Sequence, residues 1–243
     1  MSLVVDAFMS IPENIGRVQE RIRKAAVRAD RDPREITLMA VSKTFPAERI
    51  REAYEAGVRE FGENRVQEFA GKAQTLYDLA DARWHMIGHL QSNKAGKAAE
   101  LFHAVDSVDS LKLAERLNEA AARTNKKLSV LIEINVGGEA AKSGVSPDSP
   151  ELGQLLSAVS AFDNLEVSGL MTIPPFFGES EAARPYFRTL RELRDRIAAR
   201  RMPRIGMKLL SMGMSHDFEI AIEEGSTCVR VGTAIFGERA PKT

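Results

Sequence analysis

The feature that most constrains the fold is a regular alternation of short apolar runs with segments of helical spacing along the whole chain. Eight runs have the composition of strands, and several, such as LMAV at 38–41, are continuously apolar, as expected when helices cover a parallel sheet. Eight such units in 243 residues match the (β/α)8 barrel, which takes about 250 residues. An open doubly wound sheet is the alternative, but the number of units favours a single (β/α)8 TIM barrel of the α/β class.

The predicted boundaries follow from the apolar periodicity and from Gly and Pro breakers. The predicted strands cover 36–43, 58–64, 84–90, 102–108, 127–136, 165–173, 207–214 and, with its exit, 227–237. The predicted helices cover 8–31, 46–57, 65–80, 92–101, 110–124, 149–162, 179–200 and 216–225. The helix at 8–31 precedes the first strand and is therefore an extra N-terminal helix. We expect one barrel domain over residues 1–243.

Composition excludes several classes of function. Lys plus Arg and Asp plus Glu are both 34, so no net positive charge is available to drive nucleic-acid binding. One cysteine, Cys228, excludes an internal disulfide framework and fits a reducing compartment. The longest strongly apolar stretch, 128–136, is too short to span a membrane, and the N-terminus has no basic lead typical of a secretory signal. We therefore expect a cytoplasmic protein with no nucleic-acid or membrane partner.

Unusual polar residues fall at the predicted carboxyl ends of the strands, where (β/α)8 enzymes have their active sites. They are Lys43, Glu63, Asn64, His89, Glu133, Asn135, Thr172, Ser211, Ser215, Arg230, Gly232 and Thr233. Because the carboxyl ends of all strands in such a barrel meet at one mouth, we expect these residues to share one site.

The loops after the seventh and eighth strands carry a phosphate-binding pattern. In (β/α)8 proteins these two loops and a short helix N-terminus frequently hold phosphate. Here SMGMSHD offers the hydroxyls of Ser211 and Ser215, and Ser215 precedes a helix whose free amides attract anions. GTA adds Gly232 and Thr233 after the eighth strand. Each residue alone is equally typical of a helix cap or a turn, and their coincidence on both loops favours phosphate.

Lys43 and Arg230 each admit two interpretations. Most lysines at strand ends extend to solvent, but a lysine among apolar neighbours can have a lowered pKa and form Schiff bases. A buried Arg230 requires a partner, either an interior carboxylate such as Glu133 or a ligand's ring nitrogen or phosphate. Together with the phosphate loops, the pair predicts a phosphorylated carbonyl ligand, either pyridoxal phosphate or a sugar phosphate.

No metal site is predicted. The histidines of HMIGH, His85 and His89, would lie roughly 13 Å apart along a strand, too far for one metal. GTAIFGE has the glycine spacing of a P-loop without its lysine. Asp106 and Asp109 resemble a glycosidase pair, but capping and surface roles are favoured for them.

Several motifs resemble those of the pyridoxal phosphate (PLP) homeostasis proteins, also called the YggS family. They are LMAVSKTFPAERI, FGENRVQE, WHMIGHLQSNK, LIEINV, KSGV, GLMTIPP and LSMGMSHDFEIAIEEGSTCVRVGTAIFG. The likeness extends from about residue 8 to 238. It implies a single barrel similar to the N-terminal domain of alanine racemase and to fold-type III PLP enzymes.

The resemblance also implies roles for individual residues. Lys43 would form the internal aldimine with PLP, Arg230 would face the pyridine nitrogen, Asn64 would lie near the cofactor, and Lys142 would be a second lysine near the mouth. The implied phosphate cradle consists of Ser211, Ser215, Gly232 and Thr233. Two positions depart from many relatives: Phe45 stands where lysine is common, and His89 where proline or another residue is common.

The same resemblance implies a protein that binds PLP and buffers or delivers it, with transient contact with apo PLP-dependent enzymes and no catalytic residue. Arginine stays protonated, so Arg230 would keep the pyridine nitrogen unprotonated and weaken the electron sink that PLP enzymes need. Racemases obtain a tyrosine base from a second domain and a partner subunit, whereas Tyr54, Tyr77 and Tyr186 all fall in predicted helices. We therefore predict a non-catalytic monomeric carrier. The alternatives are a weak amino-acid racemase or other fold-type III PLP enzyme, and a sugar-phosphate Schiff-base aldolase.

Overall fold

Eight parallel strands close into a barrel in the computed structural model, which describes residues 10–139 and 142–238. The strands are β1 (Thr37–Val41), β2 (Glu60–Glu63), β3 (Arg83–Met86), β4 (Ala104–Val108), β5 (Leu128–Glu133), β6 (Leu165–Met171), β7 (Ile205–Met214) and β8 (Cys228–Val231). Each strand pairs with its neighbour in chain order, and β8 pairs with β1 to complete the ring. The predicted (β/α)8 barrel is confirmed.

Helices alternate with the strands and cover the outside of the barrel. They are α1 (Ile11–Arg28), α2 (Ala47–Glu55), α3 (Val66–Ala73), α4 (Ala95–Leu101), α5 (Leu111–Arg123), α6 (Pro150–Val159), α7 (Arg184–Ala199), α8 (Phe218–Glu223) and α9 (Thr233–Phe236). The extra N-terminal helix is α1, and residues 8 and 9 of its predicted range lie outside the described residues. Short 3-10 turns add Pro33–Glu35, Gln74–Leu76, Ser92–Lys94 and Ser180–Ala183. No helix in the described part of the chain is long and apolar enough to cross a membrane.

Several strands end earlier than predicted. β1 ends at Val41, β3 at Met86 and β5 at Glu133, two to four residues before the predicted ends. Beyond these points the chain leaves the sheet to form the loops of the mouth; after β1, for example, Thr44 has a φ of +69° and turns the backbone. Lys43, which was predicted as a strand end, therefore lies in a loop.

Successive side chains along each strand point alternately to an apolar core outside the sheet and to the barrel interior. Ala40 of β1 and Phe61 of β2 belong to the large core between sheet and helices. Met39, Val41 and Cys228 form a separate small cluster with the opposite parity, so they face the interior. The prediction that Cys228 is a small core residue is confirmed, since it is buried.

The barrel interior also holds a charged cluster centred on His85. Its Nε2 lies 2.7 Å from the Glu60 carboxylate and its Nδ1 lies 3.0 Å from that of Asp106. Burial alone would lower the pKa of His85, but the Asp106 and Glu60 carboxylates outweigh it and raise the pKa to about 10. The predicted capping or surface role of Asp106 is wrong, because the residue is only 1% exposed and its partner lies inside the barrel.

On the outside of the barrel, Glu224 ties α7 to the end of α8. The carboxylate is almost fully buried and accepts hydrogen bonds from Arg184 (3.2 Å), Arg188 (3.1 Å) and Arg191 (2.8 Å). Three cations around one buried carboxylate compensate for its desolvation, so this cluster fixes the helix that follows the β7 loop.

The His85 cluster yields a test of stability. His85→Gln leaves two carboxylates without their cation, and we expect the free energy of unfolding at pH 7 to fall by about 3 kcal/mol. The folded-state pKa of His85 lies above its ordinary 6.5, so its contribution is complete below pH 6.5 and is lost as the pH rises through about 10. Denaturant titration of wild type and variant at pH 7 and 10.5 measures this.

The control is His89→Gln, which removes a histidine paired with Asp109 at a side chain that is 56% exposed. That change is expected to cost less than about 1 kcal/mol. A His85→Gln deficit of equal size at both pH values would contradict the charge-based explanation.

Candidate functional site

A cavity of about 710 Å³ opens at the carboxyl end of the barrel beside β1 and β2. Lys43 and Asn64 border it, on the loops that follow these two strands. The rings of Phe45 and Phe236 stack at a centroid distance of 4.7 Å and form part of its wall. Phe45 therefore contributes apolar surface to the mouth.

The loop that carries Lys43 has an unusual backbone. Thr44 adopts a φ of +69°, a conformation rarely taken by β-branched residues and costing about 1–3 kcal/mol. Its amide donates to the Glu68 carboxylate (2.6 Å), and Lys72 contacts the carbonyls on either side of Lys43. Sequence reasoning missed these contacts, because a Glu and a Lys four residues apart are typical of a solvated helix pair.

Arg230 lies buried in β8 and is held by neutral acceptors. Its guanidinium donates to Ser211 Oγ (2.7 Å) and to the Thr172 carbonyl (2.8 Å). Burial lowers the pKa of Arg230, while the carboxylates of Asp106 and Glu133 oppose that shift. The structure thus joins Arg230 to Ser211, which sequence reasoning had assigned to the phosphate loop, and its direct hydrogen bonds do not go to Glu133.

The loops after β7 and β8 meet at the start of α9. The Ala234 amide donates a long hydrogen bond (3.4 Å) to Ser215 Oγ. Gly232 caps α9 and Thr233 is its first residue, so amides of the first helical turn lie beside Ser215. Three of the four predicted cradle residues (Ser215, Gly232 and Thr233) are therefore adjacent.

Gly213 and Asp217 shape the end of β7 and the turn that follows it. Gly213 has a φ of +93°, and a Cβ on it would lie 2.6 Å from Ala221 Cβ and 2.9 Å from Phe218 Cα. Only glycine lets the chain pass this close to α8. Asp217 Oδ1 accepts the Met214 amide at 2.7 Å and so braces the same turn.

Glu133 is a second titratable group at the mouth. It ends β5, is buried, and its Oε2 has no hydrogen-bond partner among the described residues. Burial, together with the nearby Asp109 carboxylate, raises the pKa of Glu133 to about 7 against the opposing charges of Arg230 and His89. A carboxyl group inside an otherwise apolar strand was the sequence signal for this residue.

Three further predicted residues line the rim. His89 Nδ1 lies 3.1 Å from Asp109 Oδ2, at the surface. Lys142 Nζ donates to the Pro174 carbonyl (3.3 Å), and this contact links the loops after β5 and β6. Lys142 also pairs with Glu139 of its own loop. Asn64 packs its backbone against Gly88, where a Cβ would lie 2.5 Å from the Asn64 oxygen.

The fold and the candidate site together identify the class of barrel domain. The site combines Lys43, the buried Arg230 and a helix that starts beside the last strand. The model of the family described as alanine racemase, N-terminal domain, matches residues 14–240. A solved alanine racemase of Clostridium difficile is similar in fold, with a TM-score of 0.69 and 14% identity, covering 95% of this chain and 58% of that one.

Relatives of nearly equal length identify the family within this class of barrel domain. Pyridoxal phosphate homeostasis proteins of Aquifex aeolicus and Escherichia coli are 48% and 44% identical, covering 95% and 94% of this chain and 99% and 97% of theirs. PipY of Synechococcus elongatus, solved with PLP bound, matches with a TM-score of 0.81 and 37% identity over 94% of this chain and 100% of that one. The chain belongs to the pyridoxal phosphate homeostasis protein family.

The raised pKa of Glu133 leads to a prediction about stability. A carboxyl whose folded-state pKa is about 7 rather than 4.5 stabilises the fold below pH 4.5, and this contribution is lost as the pH rises through 7. Glu133→Gln keeps the neutral form at every pH. We expect it to raise the free energy of unfolding at pH 8.5 by about 1–3 kcal/mol, with a smaller gain at pH 5.

Urea titrations at the two pH values measure this gain. The matched control is Glu166→Gln, which changes an exposed glutamate on β6 and is expected to alter stability by less than about 0.5 kcal/mol. An unchanged or lower stability of Glu133→Gln at pH 8.5 would show that Glu133 is ionised and compensated at the mouth.

Proposed function

We propose that this protein binds PLP through a reversible covalent bond between Lys43 Nζ and the cofactor's aldehyde carbon, and that it buffers or delivers PLP without catalysing a reaction. Bond formation releases one water molecule and hydrolysis reverses it, so no oxidant or reductant is needed. The carrying observation is a closed barrel in which the loop after β1 carries a lysine beside a strained residue, the neighbouring β8 carries a buried arginine, and the loops after β7 and β8 meet at a helix start. The names of the relatives and the PLP-bound PipY support the proposal.

The residues fit the chemical groups of PLP. Ser215 and the amides of the first turn of α9, at Gly232 and Thr233, are donors suited to a phosphate. Arg230 is a permanent donor suited to an unprotonated ring nitrogen. Ser211 accepts a hydrogen bond from Arg230 and so positions it, and its own hydroxyl proton can still be donated to the cofactor. Asn64 borders the same cavity as Lys43 and completes the proposed set. When bound, PLP supplies an aldehyde for amines and a conjugated ring that stabilises negative charge.

The absence of catalysis is part of the proposal. A charged arginine beside the ring nitrogen would leave that nitrogen unprotonated and would weaken the ring as an electron sink. Tyr54 and Tyr186 lie in α2 and α7, and Tyr77 is 83% exposed beside a 3-10 turn, so the tyrosines lie away from strand ends. One observation favours the second candidate, a weak racemase or other fold-type III PLP enzyme: Glu133, with a pKa of about 7, is a group able to accept and return a proton.

The proposal extends to how the protein works in the cell. We propose a cytoplasmic monomer that acts as one barrel domain over residues 1–243 and contacts apo PLP-dependent enzymes transiently. The closed barrel over the described residues supports the single domain, and the homeostasis names of the relatives support delivery. Light scattering of the purified protein measures the oligomeric state.

Lys43 is the first test of this function. Wild-type protein incubated with PLP is expected to show a visible absorption band, and borohydride reduction is expected to fix the cofactor onto Lys43 in a peptide map. Lys43→Ala removes the only proposed nucleophile, so band and reducible adduct should disappear. Lys142→Ala, which changes a rim lysine paired with Glu139, is the matched control and should retain both.

A reducible adduct that persists in Lys43→Ala would overturn the assignment of Lys43. Incubation with single amino-acid enantiomers in deuterated water separates carrier from racemase, because α-proton exchange would establish the enzyme instead. Trapping of a sugar phosphate, with no PLP band, would establish the aldolase.

Ser215 is the second test, and it isolates the phosphate. Ser215→Ala removes one donor to an anion, worth about 1.5 kcal/mol, so the affinity for PLP is expected to fall about tenfold. The affinity for pyridoxal, which lacks the phosphate, should change by less than about twofold. Spectroscopic titration with both ligands measures the difference, and Ser157→Ala on the exposed face of α6 is the control. Equal losses for both ligands would place the phosphate elsewhere.

A further inference from the structure

The segment Ser42–Phe45, which carries Lys43, adopts a backbone conformation that it would not favour by itself. Thr44 has a φ of +69°, and for a β-branched residue this left-handed region is sterically disfavoured. Such outliers persist where the surrounding structure holds them, and they cluster at functional sites. The contacts that hold this turn are therefore informative about Lys43.

Lys72 of α3 donates hydrogen bonds to the backbone of this segment before and after Lys43. Its Nζ lies 3.3 Å from the Ser42 carbonyl and 3.2 Å from the Phe45 carbonyl. The Lys72 side chain is only 13% exposed, so the ammonium is largely withdrawn from water. A mostly buried cation that binds the backbone before and after Lys43 fixes where the turn begins and ends.

Two carboxylates compensate for that cation and bind the segment themselves. Glu68 Oε1 accepts the Thr44 amide at 2.6 Å and lies 3.0 Å from Lys72 Nζ. Glu63 Oε1 accepts the Ser42 hydroxyl at 2.7 Å and lies 2.9 Å from the same ammonium. The Glu63 side chain is fully buried, so these bonds form in a low-dielectric environment where they are strong.

Ordinary surface pairs in this chain differ from this arrangement. Lys97 and Glu100 on α4 also pair at helical spacing (2.8 Å), but both side chains are about half exposed. Such pairs contribute little to stability. The α3 network instead links three elements: the end of β2, helix α3 and the turn after β1.

We propose that Lys72, Glu68 and Glu63 are positioning residues that hold the Ser42–Phe45 turn in its left-handed conformation and thereby keep Lys43 at the mouth for its bond with PLP. This inference rests on the proposed function for the identity of the ligand. The network acts by fixing the backbone on either side of the nucleophile, which reduces the ordering that bond formation would otherwise require.

The experiment combines Lys72→Met with a suppressor, Thr44→Gly. Glycine adopts positive φ without steric cost, so the substitution removes the steric strain that Thr44 has in this conformation. Lys72→Met is expected to speed amide hydrogen exchange of residues 42–45 at least tenfold without PLP and to weaken PLP binding at least tenfold. The double variant with Thr44→Gly should bind PLP at least threefold more tightly than Lys72→Met alone. Lys97→Met on α4 is the matched control and should leave both measurements unchanged.

Glu68→Leu serves as a second variant should Lys72→Met not fold, since it removes the Thr44 acceptor and leaves Glu63 paired with Lys72. The same changes in exchange and in PLP affinity are expected from it. A merely structural role predicts lower thermal stability, unchanged PLP affinity and no rescue by Thr44→Gly, and that result would overturn the proposal. So would unchanged exchange at residues 42–45.

The two proposals fail in distinguishable ways. A wild-type protein without a borohydride-fixed adduct on Lys43 would overturn the proposed function and, with it, the role of the network toward PLP. An adduct on wild-type Lys43 whose affinity is insensitive to Lys72→Met and Glu68→Leu would overturn the network alone.

Discussion

Closure of the sheet between β8 and β1 is the constraint on which the rest of the structure depends. In a ring of parallel strands every carboxyl end opens at the same mouth, so residues far apart in the chain become neighbours. The β1–β8 pairing sets Met39 beside Arg230, and Lys43 follows four residues after Met39. This closure places the loop that carries Lys43, near the start of the chain, beside the loop that follows β8, near its end.

Closure also creates an interior that must accommodate charge. Here the charged groups are compensated in different ways: His85 lies between two carboxylates, whereas Arg230 is held by a hydroxyl and a carbonyl. Neutral acceptors satisfy a guanidinium without cancelling its charge. Arg230 is therefore a buried cation held by neutral groups, and its charge opposes the rise in the pKa of Glu133.

The site combines a rigid frame with one strained turn. The end of β7 is fixed by Gly213, which packs closely on α8, and by the hydrogen bond from the Met214 amide to Asp217. The turn after β1 instead carries a residue in a disfavoured conformation, Thr44, held by side chains from β2 and α3. Strain of this kind is expected where a side chain must be presented to a ligand, and it lies next to the proposed nucleophile.

The sequence by itself determined the alternation of strands and helices and the barrel, because the periodicity of apolar residues and the number of units can be recognised from local pattern. It also determined that Lys43, Ser215, Arg230 and Gly232 lie near strand ends. The family resemblance implied roles for these residues, which the local pattern had left open between solvent exposure, a salt bridge and ligand binding. Only the tertiary structure decided which side chains meet. It joined Arg230 to Ser211 rather than to Glu133, turned Asp106 inward to His85, and brought Lys72 and Glu68 to the backbone of the turn that carries Lys43. Strand register, loop conformation and helix docking choose those partners, and they arise from packing across the whole barrel.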